Sequence, residues 1–127
     1  MGYQGFEELE VWKRAREVKN EIGKLVKKFP PSERYLLSDQ LIRSSRSVNS
    51  QLAEGHGRRT WPDKLRFSII ARGSLSETLN HLIDALDEGY IDEEVLNYYK
   101  KRISTVEKLL NGYIIFLDRQ SKNGRPG

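Results

Sequence analysis

The sequence predicts a single all-α domain folded as a four-helix bundle, antiparallel in the up-down-up-down order and left-handed. Apolar residues recur at steps of three and four in four separate stretches, the spacing of one buried helical face. Only a few residues, rich in proline or glycine, separate most of these stretches, and short connections make consecutive helices antiparallel neighbours. The chain of 127 residues has room for one ordinary core.

The first predicted helix covers residues 6–29 and ends at Pro30-Pro31. Proline lacks the backbone N–H and disfavours helical geometry in the residue before it. Ser32 is the expected N-cap of the second helix, predicted over residues 33–54. Gly55-His56-Gly57 is expected to end that helix, because glycine adopts the left-handed C-cap conformation without a Cβ penalty.

The third predicted helix covers residues 61–88. Thr60 precedes it as an N-cap, and Pro62 occupies the first turn, where a backbone N–H would have no intrahelical partner. Gly89 is the expected glycine after the last turn.

The fourth predicted helix covers residues 93–119, with Asp92 as its N-cap. Its apolar residues alternate steps of three and four: Leu96, Tyr99, Ile103, Val106, Leu110, Tyr113 and Leu117. This heptad seam suits a left-handed bundle or a coiled-coil partner. Residues 1–120 therefore form one domain, and residues 121–127, without an apolar residue, are predicted to be a disordered tail. A helical solenoid competes with the bundle, but the two halves share no repeated motif.

Composition excludes several classes of protein. With 0 cysteines, the chain has no disulfide framework, cysteine-ligated zinc or thiol nucleophile. No apolar stretch approaches the roughly 18 to 20 residues that span a bilayer, and the first residues lack the pattern of a signal peptide. We expect a cytoplasmic protein.

The positive charge lies in the first half of the chain. Residues 1–60 carry 12 Lys and Arg against 8 Asp and Glu, whereas residues 61–127 carry 10 of each. The net charge of +4 therefore comes from the first half, and it permits nucleic-acid binding without requiring it.

Small polar residues are dense in the second and third helices. The second helix contains five serines: Ser38, Ser44, Ser45, Ser47 and Ser50. Gly73 stands in the middle of the third, where glycine costs about 1 kcal/mol relative to alanine. Small residues let two helices approach closely. The contact is either between these helices within one chain or between subunits of a symmetric oligomer.

The candidate ligand-binding residues are arginines. Arginine's planar guanidinium suits phosphate or carboxylate and stays charged when partly buried. The candidate nucleic-acid-binding residues are Arg43, Arg46, Arg58 and Arg59. Salt bridges are the alternative use of these side chains, with nearby carboxylates as partners: Asp39, Glu54 and Glu77. Trp61 either stacks on an exposed base or closes the end of the bundle.

Catalytic and metal sites are not expected. Glu77 and His81, four residues apart, make at most half of a di-metal site, and the chain has only 2 histidines. No phosphate-binding loop, zinc-protease motif or nucleophile elbow occurs. We therefore predict no catalytic residue, no metal, no cofactor and no enzymatic activity.

Motifs along almost the whole chain resemble those of the 23S rRNA intervening-sequence family, four-helix bundle proteins of bacteria. They are the Phe6, Leu9 and Trp12 run and four segments, at residues 29–33, 40–48, 52–58 and 71–77. Departures occur at Ser44-Ser45-Arg46 and at Ser50-Gln51. The resemblance implies a left-handed antiparallel bundle, a homopentamer and a role in binding RNA or DNA. It also implies a relation to the accessory variability determinant proteins of diversity-generating retroelements.

The functional expectation combines these arguments. We expect a non-enzymatic homo-oligomer that binds nucleic acid mainly through backbone phosphates, because symmetry multiplies a modest basic patch. The alternative is a protein-interaction or scaffold subunit, for example an accessory partner of a reverse transcriptase.

Overall fold

The computed structural model describes residues 4–123 and contains four α-helices. They are α1 (Glu10–Leu25), α2 (Leu37–His56), α3 (Trp61–Asp87) and α4 (Glu93–Lys122). Each helix packs on the next one in the chain, and α1 also packs on α4, which closes the four into a bundle. The predicted all-helical four-helix bundle is confirmed, whereas its antiparallel up-down-up-down order and its left-handed twist stay predictions.

The core consists of one apolar stripe from each helix. Ile22, Leu41, Leu82 and Leu110, one from each, are fully buried. The predicted heptad seam of α4 supplies most of that helix's buried residues, and Leu110 stands at its middle. Burial of such a side chain contributes about 1.5–3 kcal/mol, so these stripes decide how the helices pack.

Two helices begin later than predicted. Residues Phe6–Glu8 form only a 3-10 turn, and Leu9 is extended, so α1 proper begins at Glu10. Ser32 does not cap α2: it lies in another 3-10 turn, Pro31–Glu33, and the N-cap residue of α2 is Leu36, which makes no side-chain capping hydrogen bond. The second helix instead begins at Leu37, after a residue with non-helical backbone angles.

The glycines that end α2 act differently from the prediction. Gly57, at the C-cap, has a φ of −81° and is therefore not left-handed. Gly55 is buried within the last turn, and a Cβ there would lie 2.8 Å from the Cβ of Phe67 on α3. Close approach of α3 requires glycine at position 55.

The caps of α3 and α4 are confirmed. The hydroxyl of Thr60 accepts a hydrogen bond from the Asp63 N–H at 3.3 Å, and Asp92 accepts one from the Val95 N–H at 2.9 Å. Gly89, after α3, has a φ of +77°, the conformation that favours glycine.

The last helix is longer than predicted. α4 continues to Lys122, whose ammonium lies 3.0 Å from the Asp118 carboxylate one turn earlier. The first two residues of the predicted disordered tail, 121–127, are therefore helical. Residues 124–127 lie outside the described part of the chain.

Two of the five serines of α2, Ser44 and Ser47, contact α3 within the chain. Thr78 donates to Ser44 at 2.9 Å, and the hydroxyls of Ser47 and Ser74 lie 2.8 Å apart. These pairs run in opposite order along the two helices. Gly73 takes no part in the contact, since a Cβ there would meet no atom within 4 Å.

Candidate nucleic-acid interface

Helix α1 carries its charges on two sides. Its carboxylates, Glu10, Glu17 and Glu21, are seven and four residues apart and lie on one side of the helix. Lys19 lies on another side, and so does Lys27 in the 3-10 turn Val26–Lys28 that follows α1. The acidic side contacts α4, and the basic side borders α2. Packing thus separates the charges of α1 between two different grooves.

The groove between α1 and α2 is lined by cations. Its volume is about 510 Å³, and four of its residues are lysine or arginine. The lining residues are Lys19, Asn20, Gly23, Lys24, Lys27, Ile42, Ser45 and Arg46. No carboxylate lines it, and within residues 4–123 none of its four cations forms an ion pair. Such clustered positive charge attracts polyanions.

The α1 wall of the groove is open at Gly23. A Cβ at this position would meet no atom within 4 Å, so helix packing does not require glycine here. A glycine in mid-helix costs about 0.5–1 kcal/mol relative to alanine. Across the groove, α2 contributes the half-buried Ile42 and the buried Ser45. The groove therefore combines cationic rims with a floor of small and neutral groups.

The depression continues toward the connection between α1 and α2. Its second part, about 270 Å³, shares Lys27 and Ile42 with the first and adds Arg34 and Ser38. Arg34 also forms no ion pair with any described residue. The positive charge thus extends beyond the four cations of the groove.

The two predicted arginines of α2 have different surroundings. Arg46 lines the groove, beside the lysines of α1. Arg43 is exposed and donates to the Asp39 carboxylate at 2.9 Å, the salt bridge that the sequence left open as an alternative. Its charge therefore has a local counter-charge that Arg46 lacks.

The two predicted arginines of the loop after α2 also differ. Arg58 donates to the Glu54 carboxylate at 2.8 Å, and its guanidinium carbon lies 4.7 Å from the ring centre of Phe67. Arg59 is exposed and forms no ion pair within residues 4–123. Arg46 lies ten residues, or roughly 15 Å, before the end of α2 at His56, and Arg58 and Arg59 follow that end. The structure therefore does not bring the four predicted residues into one site.

Sequence reasoning missed the three lysines on the wall of the groove opposite α2, which are Lys19, Lys24 and Lys27. Lys19, Gly23 and Lys27 follow one another at steps of four, with no acid at those positions. The carboxylates of the same helix recur on a different side. The separation of Lys19 and Lys27 from these carboxylates was readable from the helical periodicity. Lys24, seven residues after Glu17, falls on the acidic side by that periodicity, and only packing shows that it lines the groove.

The groove between α1 and α4 has the opposite character. Arg102 of α4 lies 2.6 Å from the Glu21 carboxylate and 3.4 Å from that of Glu17. Arg14 lies 2.9 Å from Glu10 and 3.5 Å from Glu17. In this ion-pair network each arginine has at least one carboxylate partner.

Two tyrosines of α4 beside this network have raised pKa values. The Tyr98 hydroxyl donates to Glu21, and that hydrogen bond raises the pKa of Tyr98 above its usual range. Burial, with a smaller contribution from the charge of Glu21, raises the pKa of Tyr99 to about 12. Both shifts favour the neutral phenol on this side of the bundle.

The end of the bundle near the second loop is closed by packing. Trp61 is half-buried and meets Phe116 edge to face, with ring centres 5.9 Å apart. Lys64 donates to the His56 carbonyl at 2.8 Å, and burial lowers the pKa of Lys64. The contact of Trp61 with Phe116 agrees with its interpretation as a residue that closes the bundle.

Glu77 and His81, the pair that the sequence offered for a metal site, do not belong to a larger cluster of metal ligands among residues 4–123. His81 is buried, with its Nε2 3.5 Å from Glu77 and its Nδ1 3.7 Å from Asp84. Among residues 4–123, no group of three or more His, Cys, Asp or Glu side chains could hold a metal ion. In the same part of the chain, no helix is long and apolar enough to cross a membrane.

Comparisons with known proteins identify the family. The fold matches the crystal structure of a protein of unknown function from the S23 ribosomal protein family of Bacteroides thetaiotaomicron, with a TM-score of 0.75. The alignment has 23% identity and covers 82% of this chain and 94% of the other. No curated protein matches significantly. The family model described as 23S rRNA-intervening sequence protein matches residues 7–112, and the chain therefore belongs to that family.

Proposed function

We propose that this protein is a cytoplasmic, non-enzymatic nucleic-acid-binding protein that contacts backbone phosphates. One observation carries the proposal: the groove between α1 and α2 presents four cations, and no carboxylate lines it. The family description, which refers to 23S rRNA, adds support. The predicted contacts of Arg43 and Arg58 become secondary, because a nearby carboxylate offsets each charge.

The chemistry of the groove favours backbone contacts over base recognition. Lysine ammonium groups act as point charges on phosphate oxygens, which are the same in every sequence. Polyanion binding through such contacts releases counterions and therefore weakens steeply as salt rises. The protein should consequently bind unrelated sequences with similar affinity.

A salt titration of affinity tests the proposal. The triple variant Lys24→Gln, Lys27→Gln, Arg46→Gln removes three unpaired groove charges. With single-stranded oligonucleotides, the slope of log affinity against log salt should fall by about 0.7 for each lost phosphate contact, or roughly 2 units in all. Fluorescence anisotropy with two unrelated sequences measures both the slope and the sequence dependence.

A charge-matched variant is the control. Arg14→Gln, Arg43→Gln, Lys122→Gln removes three exposed cations that each have a carboxylate one turn away. Both variants change net charge equally, so only the position of the charge differs. Equal loss of affinity in the two would contradict a groove site. Absence of binding by the wild type at low salt would contradict the function itself.

We also propose that the chain assembles as a closed homo-oligomer. α3 leaves Ile69, Ile70 and Ile83 exposed, and α4 adds Ile115 and Phe116. Apolar surface of this kind contributes about 25 cal/mol per Å² when association buries it. A subunit number of five rests on the family resemblance alone. Repetition of the groove around a ring would raise avidity for a long polyanion.

Light scattering at micromolar concentration tests the assembly. We expect a mass several times that of the monomer, and a monomer mass would refute the proposal. Ile70→Asp, which places a charge on the exposed α3 surface, should dissociate the oligomer without unfolding the bundle. Should the wild type assemble but bind no nucleic acid, the exposed apolar surface would favour the scaffold role, with a protein partner such as a reverse transcriptase.

A further inference from the structure

We propose that the groove between α1 and α2 accepts a single strand of nucleic acid, with one unpaired base stacked on Tyr35. This inference rests on the proposed function and names the form of its ligand. It joins two independent observations, the unpaired cations of the depression and an exposed aromatic ring beside its far end.

Tyr35 is exposed in a part of the chain where another aromatic residue is buried. Its exposed fraction is 79%, whereas Phe29, at the other end of the same connection, is 6% exposed and packs on Tyr90 with ring centres 5.3 Å apart. The core therefore does not use Tyr35. An aromatic face in solvent is free to stack on a base.

Arg34 links the tyrosine to the depression. It lines the second part of the depression, and its guanidinium carbon lies 5.4 Å from the ring centre of Tyr35. A guanidinium near an aromatic face also attracts the π-system of a base and the phosphate that follows it. A strand whose phosphates follow Lys24 and Lys27 would thus reach Arg34 and Tyr35.

The dimensions suit a short piece of one strand. Lys19 and Lys27 are eight residues apart along α1 and the 3-10 turn Val26–Lys28 that follows it, a length of roughly 12 Å. A stacked strand advances about 3.4 Å per nucleotide, so the groove spans about four nucleotides. In a duplex the faces of paired bases stack on one another and are closed to Tyr35. The groove should therefore prefer single-stranded ligands.

Anisotropy titrations at low salt test the inference, with a labelled oligothymidylate and a duplex of the same length. Tyr35→Ala should weaken binding of the single strand by roughly 5- to 150-fold, which corresponds to about 1–3 kcal/mol for one stacked base. Binding of the duplex should stay within twofold. The salt slope should not change, because the substitution removes no charge.

Two variants are controls. Tyr35→Phe keeps the aromatic face and should bind the single strand within twofold of the wild type. Tyr98→Ala removes another exposed tyrosine, which lies beside the ion-pair network of α1 and α4, and should leave affinity unchanged. Circular dichroism should show a folded bundle for both alanine variants, since neither ring belongs to the buried core.

The outcomes separate this inference from the proposed function. If Tyr35→Ala binds the single strand like the wild type while the salt slope stays steep, base stacking is wrong and phosphate binding stands. Preference of the wild type for the duplex would overturn the inference in the same way. Absence of binding to either ligand would overturn both proposals.

Discussion

The two grooves that border α1 differ in one respect, the position of carboxylates. On the α4 side, Arg14 and Arg102 each lie within 3.5 Å of a glutamate carboxylate of α1. On the α2 side, Lys24 and Lys27 line a groove without any carboxylate. One side of α1 therefore adjoins a groove whose arginines are paired with carboxylates. The other side adjoins a groove whose cations have no carboxylate partner.

This difference explains why net charge alone is a weak guide to a ligand site. Exposed ion pairs contribute only about 0–1 kcal/mol to stability, but each places a negative charge beside a cation. A polyanion approaching Arg102 meets the charge of Glu21 as well. Uncompensated cations, rather than all cations, mark the surface that attracts phosphates.

The largest expected effect concerns the core under both grooves. Leu110 is fully buried, and Leu110→Ala should destabilise the bundle by about 2–5 kcal/mol through lost contacts and a cavity. Urea unfolding measures this change. The triple groove variant Lys24→Gln, Lys27→Gln, Arg46→Gln should cost less than about 0.5 kcal/mol. A loss below about 0.5 kcal/mol for Leu110→Ala would mean that the α4 seam is wrongly assigned.

The second effect is a pH dependence on the acidic side. The pKa of Tyr99 is about 12 in the folded chain, above its ordinary value of about 10. Folding therefore favours the neutral phenol. The resulting stabilisation is present below about pH 10 and is lost as pH rises toward 12. It amounts to about 2–3 kcal/mol, at 1.36 kcal/mol per pKa unit.

Urea unfolding at several alkaline pH values, compared with Tyr99→Phe, checks this expectation. The phenylalanine variant has no phenol to ionise and should lose less stability across that interval. Equal loss in both proteins would assign the alkaline destabilisation to other groups.

The third prediction concerns a variant that introduces a carboxylate into the groove between α1 and α2, as the groove between α1 and α4 already has. Gly23→Glu places a carboxylate one turn from both Lys19 and Lys27, in space that the structure leaves open. Affinity for single-stranded nucleic acid should fall by about tenfold at low salt, equivalent to about 1.4 kcal/mol. Gly23→Ala is the matched control and should retain affinity while stabilising α1 by up to about 1 kcal/mol. Unchanged affinity in the glutamate variant would exclude this groove as the contact.

The smallest effect is the reverse experiment. Glu17→Gln with Glu21→Gln removes the partners of Arg102 and should raise nonspecific affinity for nucleic acid by about two- to threefold. The variant also makes the net charge more positive by two. Arg43→Gln with Asp39→Gln, which removes an exposed pair without a change in net charge, should leave affinity unchanged. Lower affinity in the Glu17, Glu21 variant would contradict the comparison of the two grooves.

Local features of the sequence were enough to predict most of the fold. Thr60 and Asp92 cap helices because their side-chain oxygens reach N–H groups three residues later. Gly89 follows α3 with positive φ, as a glycine after a helix commonly does. The seam through Leu110 is buried because apolar residues at heptad spacing share one face. The two caps and Gly89 depend on residues within about one turn, and the seam depends on spacing within a single helix.

At other positions the local sequence allowed more than one structure, and packing against neighbouring helices decided between them. Ser32 is as good a cap by type as Thr60, yet its turn is 3-10 and α2 begins later. Gly55 is explained by the approach of α3, whereas Gly73 faces open space despite an equally helical setting. Residue type alone does not say which of two glycines meets a neighbouring helix.

The sequence by itself determined the number of helices, the buried seam of α4 and the excess of positive charge in the first half. On α3 it did not: the predicted face included Ile69, which is exposed, whereas Ser68 and Ala71 are buried. The Asp39–Arg43 and Glu54–Arg58 pairs were also readable, because residues four apart are neighbours on a helix. Only the tertiary structure decided that α1 and the turn after it set Lys24 and Lys27 beside Arg46, and that the glutamates of α1 face α4. Helix periodicity assigns a residue to a side of its own helix, whereas packing decides which other helix that side adjoins.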